Sequence, residues 1–92
     1  MRPVLINDLT TAARTLLAAD PSRRGPVMAQ IVQNAKTADL YRKRVGRGHR
    51  LYGNGSLASA CQPYAQAPLP PRCDAQYLSC LSVVISSLVA FD

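Results

Sequence analysis

The residues best equipped for chemistry lie between Tyr41 and Leu57. That segment reads Tyr-Arg-Lys-Arg-Val-Gly-Arg-Gly-His-Arg-Leu-Tyr-Gly-Asn-Gly-Ser-Leu. It holds five of the eleven Lys and Arg residues, the only His and four of the five Gly, with no Asp or Glu. Arginine takes phosphate or carboxylate in a two-pronged fork, and glycine lets backbone approach a ligand closely. The segment is therefore composed like a surface that meets an anion. Its candidate binding residues are Arg42, Lys43, Arg44, Arg47, His49, Arg50, Asn54 and Ser56.

Each candidate also has a structural account. Three consecutive cations fan around a helix and cannot all face one ligand. At a helix C-terminus they complement the macrodipole, by about 0.3–1 kcal/mol each at low salt. His49 lies between glycines and arginines with no acid or Cys close in sequence, so catalysis by it has little support. Gly53-Asn54-Gly55-Ser56 can present amides to an anion at a helix start. It matches neither established phosphate-loop pattern, and it reads equally as a tight turn followed by a Ser cap. Tyr41 and Tyr52 bracket the basic run. Aromatics there can stack on bases, but packing between helices is the expected role.

Enzyme chemistry is poorly supplied. The five acids are all Asp (Asp8, Asp20, Asp39, Asp74 and Asp92) and are dispersed along the chain. There are no paired carboxylates and no nucleophile with an evident base. Cys61, Cys73 and Cys80 lack Cys-x-x-Cys spacing, so neither a structural zinc nor any other cofactor is expected. Cys80 falls on an apolar helical stripe. Cys61 and Cys73 flank a Pro-rich stretch and are expected to be free thiols.

Four elements must position the basic segment. Asn7 or Asp8 can cap a first helix whose inner face is Leu9, Ala12, Ala13, Leu16 and Leu17, ending before Pro21. A second helix is expected over about 27–44, with Met28, Ile31, Val32, Ala35 and Ala38 inward. Asp20-Pro21 or Gly25-Pro26 can open it; if it starts at Pro21, Pro26 must be absorbed by a kink in an early turn. Gly46 and Gly48 end it. The loop 47–55 follows, and Ser56 caps a short third helix over 57–61. Residues 62–72 carry Pro63, Pro68, Pro70 and Pro71 and should be extended. Asp74 caps the last helix, 75–90, with Tyr77, Leu81, Val84, Ile85 and Leu88 buried. The expected fold is all-α: one domain over 1–92, made of three longer helices and one short helix, with a basic Gly-rich loop and a Pro-rich segment.

Composition agrees. Ninety-two residues with 48% hydrophobic content, no Trp and one Phe specify a small aliphatic core. The net charge of +6 favours an acidic partner. Asn7 and Asp8 interrupt the first apolar stretch, so no secretory signal is expected. The apolar run 78–91 is too short for a spanning helix. A cytoplasmic protein is the expectation.

The chain resembles a family of small, uncharacterised alphaproteobacterial proteins of about this length. The resemblance rests on Met1-Arg2-Pro3-Val4-Leu5, Ala12-Ala13-Arg14 with Leu16-Leu17, and Ala38-Asp39. It continues through Tyr41-Arg42-Lys43-Arg44, Gly46-Arg47, His49, Gly53-Asn54-Gly55-Ser56-Leu57 and Tyr77-x-x-Cys80. It implies a bacterial helical protein and no particular mechanism. The functional expectation is a non-enzymatic module docking through Tyr41 to Ser56 on nucleic acid or an acidic protein surface. Engagement of about four phosphates predicts a log–log salt slope near −3.6. The alternatives are a protein–protein adaptor or small structural subunit, and a small-anion site at the Ser56 helix start.

Overall fold

The computed structural model describes residues 1–91; Asp92, one of the five acids, lies outside the described residues. Helix α1 spans Ile6–Ala18, α2 Arg24–Val45, α3 Leu57–Ala60 and α4 Ala75–Phe91. The all-α architecture is as expected: three longer helices and one short one, gathered on a single core. Helix α1 packs mainly on α4, α2 lies against both, and α3 closes the side where α1 and α2 meet.

Apolar spacing explains the core. Ala12, Ala13 and Leu16 of α1 meet Met28, Ile31, Val32 and Ala35 of α2, Leu57 and Ala60 of α3 with Cys61 just after it, and Tyr77, Cys80 and Val84 of α4. Spacings of three and four bring each set to one face. Alanine at the crossings lets the helices approach closely, which suits a chain with so few aromatics. Leu9 and Leu17 pack at the edge of this core.

Two boundaries and one burial differ from expectation. Helix α1 begins at Ile6, with Leu5 as its cap. Asp8 sits in the first turn and reaches back, its Oδ2 accepting the Leu5 N–H at 2.8 Å. Pro21–Arg23 form a separate 3-10 turn, capped by Asp20, whose Oδ1 accepts the Ser22 N–H. Helix α2 therefore starts at Arg24 and takes Pro26 into its first turn. No kink is needed there, because a first-turn amide has no intrahelical acceptor to lose. Finally, Ile85 is 49% exposed, not buried. The inward stripe of α4 runs Tyr77–Cys80–Val84, with Leu81 and Leu88 at its edge, which turns Ile85 outward.

Helix α2 stops at Gly46, whose φ of 86° is left-handed and whose N–H donates to the Arg42 carbonyl at 2.8 Å. Asp74 caps α4 through its Oδ1, which accepts the Tyr77 N–H at 2.8 Å. The Pro-rich stretch is clamped at its middle: Arg14 Nε donates to the Ala67 carbonyl and the Ala67 N–H donates to the Arg14 carbonyl.

The cysteines divide by burial. Cys61 and Cys80 are buried and Cys73 is exposed, all three as free thiols. Burial pushes the Cys61 thiol up to about 11 and raises that of Cys80. Only the thiolate reacts with disulfide reagents. One thiol is therefore expected to react promptly with such a reagent in the native protein and two more only in denaturant. Three fast equivalents would contradict this packing.

Candidate functional site: the basic loop and its anchors

The loop between α2 and α3 is ordered from within. His49 and Gly53 exchange backbone hydrogen bonds, N–H to carbonyl, at 2.6 and 3.1 Å, closing a small turn over Arg50–Tyr52. His49 Nδ1 accepts the N–H groups of Leu51 and Tyr52 at 3.0 and 3.2 Å. An acceptor role at Nδ1 places the proton of the neutral ring on Nε2. The ring stacks on Tyr52 (centroids 4.6 Å apart, planes 7° apart) and takes Tyr41 edge-on at 5.0 Å. Tyr41 is on α2, so this aromatic clasp ties the turn to the helix. The tyrosines grip His49 rather than filling an interhelical gap, and His49 acts as the pin of the turn.

The C-terminal half of the loop is equally self-contained. The Asn54 side-chain oxygen accepts the Ser56 N–H at 3.1 Å. Ser56 Oγ accepts the Ser59 N–H, capping α3. Ser59 Oγ accepts the Asn54 N–H at 3.2 Å and lies 2.9 Å from the Ser56 carbonyl. The amide that an external anion would use at the start of α3 already has one: Asp8 Oδ1 accepts the Ala58 N–H at 2.9 Å. Asn54 and Ser56 therefore hold the loop, and Asp8 takes one of the amides that an anion at the start of α3 would use. The protein's own carboxylate occupies that place.

A second buried acid sits on the other side. Asp39, 3% exposed on α2, faces three cations. Its Oδ1 pairs with Arg42 at 2.9 Å, and its Oδ2 pairs with Lys43 and with the Met1 amino group, both at 3.2 Å. The Arg42 hydrogen bond, aided by the Met1 amino group and Lys43, holds this carboxyl well below the usual carboxylate range against the opposing cost of burial. The terminal segment is secured again where the Arg2 N–H donates to the Gly55 carbonyl at 2.9 Å. Gly55 is buried against α2 with φ +98°. Met1–Arg2, the end of α2 and the end of the loop thus form one anchored corner.

The candidate cations separate accordingly. Arg42 and Lys43 are drawn onto Asp39. Arg44, Arg47 and Arg50 are exposed and form no ion pair among the described residues. Arg50 shares a shallow cleft with Tyr41, His49 and Leu51.

A family model described as Domain of unknown function (DUF7742) matches residues 2–88. The chain belongs to that family. The match takes in Asp8, Asp39 and the whole basic loop. No curated protein and no solved structure matches the chain. Among the described residues no helix is long and apolar enough to cross a membrane, and no group of three or more His, Cys, Asp or Glu converges as a metal site.

Two acids central to this region escape sequence reasoning. Asp39 carries one local signal, its spacing of three and four to Arg42 and Lys43, which puts them on one helical face. The Asp8–Ala58 contact joins residues fifty positions apart and has no signal in local pattern.

Proposed function

We propose that this is a small, non-enzymatic binding module of a bacterial cytoplasm that docks its α2–α3 loop on the phosphate backbone of a nucleic acid. The carrying observation is that Arg44 at the end of α2, Arg47 just after it and Arg50 on the His49-pinned turn stand exposed with no carboxylate partner among the described residues. A preorganised turn spends little ordering entropy on binding. Lys43, mostly exposed though paired to Asp39, supplements them. The aromatic clasp is internally stacked, which favours backbone contact over base stacking. A non-enzymatic role is supported by how the candidate catalytic groups are used: Asp8, Asp20 and Asp74 accept backbone N–H groups, Asp39 pairs with cations, and His49 Nδ1 serves the turn.

Three phosphate contacts predict a log–log salt slope near −2.7 on duplex DNA, about 0.9 per contact. The expected result in a fluorescence-anisotropy titration is that each single Arg→Ala change at 44, 47 or 50 lowers the slope by about 0.9. The triple variant should lose measurable binding while keeping its helical circular dichroism. Absence of binding by the unaltered protein at low salt would sink the reading.

A protein–protein adaptor is the second reading. It is favoured by Leu51 at the tip of the turn and Leu69 on the clamped Pro-rich segment, both more than half exposed. A specific protein retained in a pull-down from nuclease-treated lysate would select it.

A further inference from the structure

Helix α4 carries no charged residue from Ala75 to Phe91, in a chain whose net charge is +6. One face of it builds the core. The other presents Leu78, Ile85 and Val89, which are 50, 49 and 72% exposed, with exposed Ser82 in the same row. Positions 78, 82, 85 and 89 are spaced four, three and four, the seam of an antiparallel or parallel helix pair. Exposed Ala75, Ser79, Ser86 and Ala90 flank this row and allow a second helix to come close. We propose that this face is the interface of a homodimer, with α4 packed antiparallel on α4 of a second copy.

The row is self-complementary under a two-fold axis. Turned end for end about its midpoint, Leu78 meets Val89 of the second copy and Ser82 meets Ile85, so a large side chain faces a small one near the axis and apolar residues pair at both ends. A two-fold interface requires this reciprocity. An uncharged face also limits what can cover it. Two copies at +6 repel through most of their surfaces, and an acidic or basic partner finds no counter-charge on α4, whereas a second α4 brings apolar area without like charges. Three large apolar side chains, each half exposed or nearly so, would leave water together in such a pair. The inference goes beyond the anion-binding reading and does not depend on it.

Sedimentation equilibrium from micromolar to millimolar protein tests it. The expected result is a reversible dimer of the 9.9 kDa chain. Ile85→Glu should weaken it by roughly 100-fold, since the two-fold places the new charge in the seam twice. Because Ile85 lies outside the core, circular dichroism should stay unchanged. In a Cys73→Ser background, Ser82→Cys combined with Ile85→Cys should give a rapid intermolecular disulfide, while Ser82→Cys alone should not. A monomer at every concentration would overturn the proposal, as would a dimer indifferent to Ile85→Glu. Cross-linking by Ser82→Cys alone would overturn the antiparallel arrangement. Association of the monomer with lipid vesicles through α4 would replace the second copy as the occupant.

Discussion

Asp39→Asn is expected to destabilise the protein by about 2–3 kcal/mol at neutral pH, the scale for removing one partner from a largely buried charge cluster. The carboxylate holds Arg42, Lys43 and the Met1 amino group together. Asparagine keeps the shape and one acceptor but removes the charge, leaving three cations to repel each other at one corner. In a domain of this size stability is about 5–10 kcal/mol, so the fraction lost is large. The effect has a pH signature. The carboxyl is depressed in the folded state by Arg42, the Met1 amino group and Lys43. Its contribution is therefore present above the ordinary Asp value of about 3.9 and is lost as pH falls below it. Urea midpoints should separate the two proteins widely at pH 7 and converge progressively as the pH is taken below about 4. Equal separation at both ends would show that Asp39 acts by shape and not by charge.

Gly55→Ala should cost about 3 kcal/mol, lowering Tm by about 12–24 °C on the scale for small domains. Two effects add. The φ of +98° strains any L side chain, and a Cβ built there would lie 2.8 Å from both Cα and Cβ of Asp39. Those atoms belong to the body of α2, so the loop must move instead, carrying the Gly55 carbonyl away from the Arg2 N–H. Gly46 isolates the first effect, because its φ is +86° with nothing within 4 Å of a built Cβ. Gly46→Ala should therefore cost only the backbone strain, about 1 kcal/mol. Thermal melts of the two variants that matched would rule out the steric contact as the cause. Gly55→Ala should also weaken anion binding although it removes no cation, because Arg47 and Arg50 ride on the displaced loop and lose their place beside Arg44 on α2.

Much of the molecule was legible in its sequence for local reasons. Stripes at spacings of three and four set the inward faces of α1 and α2. Gly46, Ser56 and Asp74 mark ends that a helix makes with its nearest neighbours, and each sits where such chemistry requires. Errors arose where two local options were close in energy. Asn7 and Asp8 both read as caps of α1, but Asp8 bonds backward to the Leu5 N–H and the cap falls at Leu5. Pro21 and Pro26 both read as openings of α2, and the 3-10 turn over Pro21–Arg23 leaves Pro26 in its first turn. Ile85 and Cys80 are both apolar to a periodicity argument, and only the angle at which α4 meets α1 and α2 chose between them.

The candidate site was legible as composition but not as arrangement. Arg44, Arg47 and Arg50 read the same before and after folding, because exposure leaves a side chain's charge alone. Arg42, Lys43, Asn54 and Ser56 changed role once their partners were in view. The sequence by itself determined a helical class, a small aliphatic core and a surplus of positive charge gathered between Arg42 and Arg50, since these follow from propensity, periodicity and counting. Tertiary structure alone decided that Asp39 would gather Met1, Arg42 and Lys43, that Asp8 would cap a helix fifty residues away, and that His49 would pin the turn. The physical reason is that a polar group in a dry interior must find its partner in space, and that partner is supplied by the fold and not by the neighbouring residue.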